Sequence, residues 1–243
     1  MIVFVHGVPE TAAIWKQVRL AIDGESVALQ LPGFGCPIPQ GFGATMEEYS
    51  TWLAAQLRDI DGPIDLVGHD WGAGFTLRVV TTEPDLVRSW VIDIGNMVHP
   101  DYEWHDIAKM WQTPGVGEQS FEDQYAMSTE DRAALLESLG VPHHGAMEMA
   151  AALDPTMGSS ILGLYRSATP NPMAHWGPVE PPATPGLVLC ATGDAFGDPA
   201  KAAESASNLG ARFATVDGVG HFWPYEAPER VVPVLQSFWA DVR

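Results

Sequence analysis

Ile64-Asp65-Leu66-Val67-Gly68-His69-Asp70-Trp71-Gly72-Ala73-Gly74 decides how this chain is read. Its first four residues, apolar but for Asp65, read as a short strand, and an apolar helical stretch follows the last glycine. Between them Gly68 and Gly72 stand two positions either side of Asp70. Strand, sharp turn and helix start make the G-x-Nu-x-G elbow, a turn so tight that β-carbons at the flanking positions would collide with their neighbours. Aspartate occupies the position where serine is usual. A carboxylate with an ordinary pKa near 3.9 is already ionised at neutral pH, so it can attack an electrophilic carbon without a general base.

Outward from the elbow, short β-rich runs alternate with amphipathic stretches, the pattern of an α/β fold with a parallel sheet. Expected strands are residues 2–5, 26–31, 64–67, 90–94, 187–191 and 212–216, several of them continuous apolar runs as strands buried on both faces should be. Met46, Tyr49, Leu53, Leu57 and Ile60 form one helical stripe, opened by Thr45 as N-cap with Glu48 three residues on. A last helix over about residues 228–240 starts well at Pro228, but Pro233 predicts a kink or a late start. From about residue 97 to 183 the strand pattern stops. A helix is expected over residues 128–139, ended by Gly140, and the six prolines between residues 168 and 186 suit an extended return linker. Three segments follow: a core part over 1–96, a mainly helical lid insertion over 97–183, and a second core part over 184–243. An insertion between consecutive parallel strands sits over their carboxyl ends, where open α/β sheets bind ligands.

Length and composition bound the function. The chain's 243 residues, 46% hydrophobic and 18% charged with mean hydropathy near zero, describe a globular domain carrying an insertion. Its 31 acidic against 12 basic side chains give a net charge of −19, which repels phosphate backbones and excludes nucleic acid as the expected partner. Cys36 and Cys190 lie at no metal or disulfide spacing, and no apolar run reads as a signal peptide or membrane span. A cytoplasmic protein is expected, with no cofactor, no metal and no membrane partner; the sequence leaves oligomeric state open.

Three further motifs support the elbow. His6-Gly7-Val8-Pro9 follows the first strand, Leu31-Pro32-Gly33-Phe34-Gly35 the second, and Gly218-Val219-Gly220-His221-Phe222 the last. In this set and order the chain resembles an α/β-hydrolase of the branch that contains epoxide hydrolases and haloalkane dehalogenases. The resemblance implies an α/β-hydrolase core with a mostly parallel sheet. Because the chain starts at the strand before the H-G-x-P turn, without two strands common in the family, about six strands are expected.

The resemblance also implies roles. Asp70 would be the nucleophile and form an alkyl ester of the protein, and His221 would activate the water that hydrolyses it. Two strand-end aspartates compete to orient His221: Asp194 after the apolar run 187–191, and Asp93 after Trp90-Val91-Ile92. Asp194 is preferred. Backbone N–H groups of Val8 and Trp71 would form the oxyanion hole. Tyr165, in a segment resembling the Tyr-Arg of epoxide-hydrolase lids, would donate a proton to a departing oxygen. No second lid tyrosine matches clearly; Tyr102, Trp104, His105 and Trp111 lie in the early lid, and the last three are expected in the pocket wall. His6 and His69 read as structural, bonding within turns, and His143-His144 as surface.

Opening of small apolar epoxides to diols is the expected activity, with haloalkane dehalogenation as the alternative. Val8 offers no side-chain donor for a halide, which weakens the second. A fluoroacetate-type dehalogenase would need arginine where Trp71 stands. A non-catalytic binding protein of this fold would be favoured by loss of Asp70, His221 or the acid, and none is lost.

Overall fold

Parallel strands cannot be joined by tight hairpins, so a chain of short apolar runs separated by helices must build a sheet by crossovers. A computed structural model, which describes residues 1–242, has this arrangement. Its strands are β1 (Ile2–Val5), β2 (Ser26–Leu29), β3 (Asp65–Gly68), β4 (Ser89–Ile92), β5 (Gly186–Ala191) and β6 (Arg212–Val216), in the order β2-β1-β3-β4-β5-β6. All the pairs are parallel. The core helices before the lid are α1 (Lys16–Ala21), α2 (Met46–Arg58) and α3 (Trp71–Thr82). Between β4 and β5 lie α4 (Asp106–Gln112), α5 (Val116–Tyr125), α6 (Thr129–Ser138), α7 (His143–Ala152), α8 (Pro155–Ser167) and α9 (Met173–Trp176). After β5 come α10 (Pro199–Asn208), α11 (Trp223–Glu226) and α12 (Pro228–Val242).

The period-two alternation of the strands divides the interior between the two faces of the sheet. Val3, Val5, Leu66 and Ile92 pack with α2, α3 and α10, while Ile2, Phe4, Val67 and Val91 pack with α1 and α12. Lid residues join both clusters: Trp111, Phe121 and Ile161 the first, Ala133, Val141 and Met149 the second. The helices between β4 and β5 therefore share buried surface with both faces of the sheet.

Several sequence expectations need correction. The second strand stops at Leu29, not residue 31, because the Leu31 N–H leaves the ladder and donates to His6 Nε2 at 3.1 Å. The fourth ends at Ile92, leaving Asp93 just beyond the sheet. Residues 168–186 are not wholly extended, since α9 forms within them after Pro172. The last helix starts at Pro228 and continues past Pro233, so the late start does not occur. Pro inside a helix costs about 3 kcal/mol. Burying Val231, Val232, Leu235, Phe238 and Trp239 outweighs that, at roughly 1.5–3 kcal/mol for each such side chain. The α2 start is as expected: Thr45 Oγ1 accepts from Glu48 N–H, and Glu48 Oε2 accepts from Thr45 N–H at 3.0 Å. Cys36 and Cys190 are free thiols. Among the described residues no helix is long and apolar enough to cross a membrane.

Candidate active site

Strand register assembles the site. Val5 of β1 lies opposite Gly68 of β3, and Gly68 opposite Ile92 of β4, so the turns carrying Val8, Asp70 and Asp93 emerge side by side. This is where strand order reverses about β1, the crevice in which doubly wound sheets hold ligands. The other two turns are tied to each other by Gly193 N–H to Val219 O at 2.8 Å and Gly218 N–H to Thr192 Oγ1 at 2.8 Å, which brings Asp194 to His221.

Asp70 follows His69 in the two-residue turn between β3 and α3, with φ 50° and ψ −122°. Such a conformation is strained for a side chain and is held by close packing on both sides. A Cβ on Gly7 would lie 2.3 Å from Asp70 Cβ, and one on Gly72 would lie 2.3 Å from Val5 O. Only glycine lets the β1 turn and the elbow approach this closely. Val8 N–H donates to Asp70 Oδ1 at 2.8 Å, and the Trp71 amide also favours the charged carboxylate. Burial is the largest influence and pushes the Asp70 carboxyl up to about 6, against the pull of His221.

His221 Nδ1–H donates to Asp194 Oδ2 at 2.8 Å, which leaves the Nε2 lone pair toward Asp70 Oδ2, 3.8 Å away. Burial alone would depress the imidazole, but Asp194 overcomes it and holds the pKa above its ordinary value. Asp194 in turn stays low despite burial, because His221 and the Phe196 N–H, at 2.7 Å from Oδ1, favour its charge.

Asp93 does not meet His221. Its Oδ1 accepts the Asp70 N–H at 3.1 Å, and its Oδ2 accepts from Trp223 Nε1 at 2.6 Å and His69 Nδ1 at 2.5 Å. The other His69 nitrogen donates to Glu10 Oε1 at 2.9 Å, while Glu10 Oε2 accepts the Gly7 N–H at 3.0 Å. Burial would strip His69 of its proton, yet Asp93 and Glu10 together hold its pKa well above the usual value, so it is an imidazolium between two carboxylates. His69 therefore bonds across three strand ends, not within its own turn as its sequence context suggests. Glu10 has no signal in the sequence beyond its place directly after the H-G-x-P turn. The network pins the elbow through Asp70 N–H and the β1 turn through Gly7 N–H. His6 bonds within its turn through Nδ1, which donates to Gly7 O at 2.9 Å, and beyond it through Nε2, which accepts the Leu31 N–H; burial lowers its pKa to about 4. His143 and His144 are exposed.

Glu10, His69 and His221 each bring one donor atom within 4.8 Å of the others, a spacing that could hold a metal ion. An imidazolium has no free lone pair, and both Glu10 oxygens are already taken. These residues suit an ion-pair network better than a metal centre.

A cavity of about 350 Å³ opens from Asp70 and His221 under the lid, with Val8, His105, Trp111, Tyr165 and Phe196 in its walls. Tyr165 is buried, and burial together with the nearby Asp70 charge raises its pKa well above the ordinary value, so its hydroxyl keeps its proton. Its ring meets Trp71 edge-on at 5.5 Å and Trp111 at 4.9 Å. The Trp111 indole N–H is buried without a hydrogen-bond partner, while that of Trp71 faces the Tyr165 hydroxyl. His105 caps α4: Nδ1 accepts the Ala108 N–H at 3.2 Å, and burial with the nearby His221 lowers the ring to about 4, so it is neutral with its proton on Nε2. Trp104 is not in the cavity wall as expected. It packs behind Tyr165 and Trp71, with centroids 5.2 and 5.6 Å away, and donates to Ala168 O. Tyr102 is another lid phenol under the influence of Asp70 and Asp194, its pKa raised chiefly by burial.

Comparison with known proteins agrees with this architecture. Residues 2–234 match the model of the alpha/beta hydrolase family. A curated relative, a haloalkane dehalogenase of Agrobacterium fabrum, is 32% identical over 91 residues, covering 36% of this chain and only 30% of that protein's length. Crystal structures with the same fold include epoxide hydrolase VrEH1 from Vigna radiata, with TM-score 0.79 and 18% identity over 99% of this chain and 90% of that one. Another is haloalkane dehalogenase DbeA from Bradyrhizobium elkani USDA94, with TM-score 0.73 and 22% identity over 99% and 90%. At such identities the likeness is one of fold.

Proposed function

Because the chain belongs to the alpha/beta hydrolase family, we propose that it opens small epoxides to diols through an ester formed on Asp70. Asp70 Oδ2, on the His221 side, attacks the less hindered epoxide carbon while the C–O bond breaks and the oxygen takes a proton from Tyr165. Oδ1 remains on the Val8 N–H. Water then gives a proton to His221 Nε2 and attacks the carboxyl carbon of the ester. Negative charge collects on Oδ1, where the Val8 and Trp71 amides stabilise it. Collapse expels the ester oxygen, which takes the proton back from His221 to complete the diol, and the proton left on the Asp70 carboxyl returns to the Tyr165 phenolate, restoring carboxylate, imidazole and phenol. Asp194 fixes the His221 tautomer and stabilises the imidazolium that forms.

One observation carries the choice of electrophile: Tyr165, a protonated phenol, lines the same cavity as Asp70 and His221. An epoxide oxygen departs as a strongly basic alkoxide and needs an acidic hydrogen, whereas a halide leaves as a stable anion. The second reading, a haloalkane dehalogenase, is favoured by two buried indole N–H groups, that of Trp111, which has no partner and lines the cavity, and that of Trp71, which meets the Tyr165 hydroxyl. Val8 in the H-G-x-P turn adds no side-chain donor to them. The deciding experiment compares diol formation from styrene oxide and 1,2-epoxyhexane with halide release from 1-bromohexane, in the wild type and Tyr165→Phe. Diol formation that falls in Tyr165→Phe at the alkylation step supports the first reading. Halide release without diol, unaffected by Tyr165→Phe, transfers it to the second.

A further inference from the structure

The cavity does not end at the reacting residues. Its far end is lined by Met127, Leu135 and Leu139, which are 37, 46 and 41% exposed and so mark where it meets solvent. The seven large apolar side chains exposed among the described residues include these three, gathered at one mouth between α5 and α6. A surface helix ordinarily turns polar residues to water. Instead, α6 and its C-cap present Leu135 and Leu139, one helical turn apart on the same face, beside the opening. Ile107, Met110, Trp111, Leu136 and Phe222 line the same cavity, so its wall is mainly apolar, with Ser120, Asp123 and Gln124 as polar interruptions. An exposed apolar patch continuous with a reactive cavity marks a binding surface.

Charge decides what kind of chain fits. No Lys or Arg is among the residues lining the cavity, and Asp123 lies at its mouth. The α5 and α6 segments together carry the carboxylates Glu118, Glu122, Asp123, Glu130, Asp131 and Glu137 against the single cation Arg132. Arg132 lines a small side pocket, with Nη1 on Leu153 O and Nη2 on Thr129 Oγ1. A carboxylate on the substrate would enter a negative field with no cation facing it.

We propose that the substrate is an uncharged, elongated apolar molecule, whose reactive carbon lies at Asp70 and whose hydrocarbon remainder extends through the cavity to Met127, Leu135 and Leu139. The inference rests on the hydrolase reading for what sits at Asp70; the path of the remainder is independent of the chemistry. Burying each further methylene along it should tighten binding about fourfold until the chain reaches solvent.

The test is binding, followed by quenching of intrinsic tryptophan fluorescence, of the inert series 1-butanol to 1-decanol and of decanoate to the full protein. Affinity should climb about fourfold per carbon over several carbons, decanoate should bind at least tenfold more weakly than decanol, and Leu135→Asn/Leu139→Asn should flatten the rise for the longer members. Both leucines are exposed, so the variant is expected to fold, and its melting temperature is measured alongside. Affinity that is flat beyond butanol, an undiminished rise in the folded variant, or decanoate bound as tightly as decanol would overturn the proposal; the last would point to Arg132 and an anionic substrate. Alcohols that bind with the expected rise while no epoxide is turned over would uphold the channel and refute the proposed activity instead.

Discussion

Replacing Asp70 by asparagine should stabilise the protein at neutral and alkaline pH, and progressively less in acid. The Asp70 side chain is 15% exposed, and burial raises its carboxyl from 3.8 to about 6 although His221 pulls it down. A carboxyl raised on folding binds protons more readily in the folded state, so holding it ionised costs stability above pH 6, and the cost fades as pH falls toward 3.8. At about 1.4 kcal/mol for each tenfold change in proton affinity, that cost is ~3 kcal/mol at most. Asparagine is nearly isosteric, never ionises, and its amide oxygen can still accept the Val8 N–H. For a chain of this size 1 kcal/mol corresponds to roughly 2–4 °C, so Asp70→Asn should melt roughly 4–10 °C higher at pH 8. By pH 4.5 the gap should shrink by about two-thirds, because most of the folded wild type is then protonated there. Melting curves of both proteins from pH 4.5 to 8.5 read this directly. A gap that does not change with pH, or a variant less stable at pH 8, would refute the claim that Asp70 is a desolvated carboxylate.

Asp194→Asn should lower kcat by up to about 10⁴, since His221 loses the partner that sets its tautomer and raises its pKa; a loss under tenfold would remove Asp194 from the mechanism. Asp93→Asn should show itself first in stability, because breaking a buried ion pair costs roughly 3–5 kcal/mol and His69 keeps only Glu10; an unchanged melting temperature would contradict the network. Wild-type kcat/KM for an epoxide should fall as pH drops through about 6, where Asp70 takes up its proton and can no longer attack, and a flat profile between pH 5 and 7.5 would deny it that role. Gly7→Ala should abolish turnover, because the added methyl occupies the space of the Asp70 side chain; retained activity would mean the turn can yield.

What could be read from sequence was what is encoded locally. The elbow at Asp70, the α2 capping box and the His221 loop are each specified within a few neighbouring residues, and the order of apolar runs was enough for the parallel α/β core. Glu10, and its pairing with His69 and Asp93, escaped because that pairing spans 59 and 24 residues and exists only once β1, β3 and β4 are in register. Burial is also not local: nothing in the sequence distinguishes Glu10, fully buried, from the many solvated carboxylates of an acidic chain. Trp104 and Trp111 look alike in the early lid, but Trp104, ahead of α4, packs against Trp71, and Trp111, on α4, lines the cavity. Pro233 failed as a breaker because the packing of α12 outweighs its lost hydrogen bond.

Formation of an ester on Asp70 is the step on which the proposed reaction depends. His221→Gln keeps the nucleophile but removes the base needed for hydrolysis, so mixing this variant with styrene oxide and recording intact-protein mass should reveal one added epoxide, mapped by peptide digestion to Asp70. The same addition should be absent from Asp70→Ala/His221→Gln. No adduct in His221→Gln on an epoxide that the wild type turns over, or an adduct that survives removal of Asp70, would contradict the mechanism.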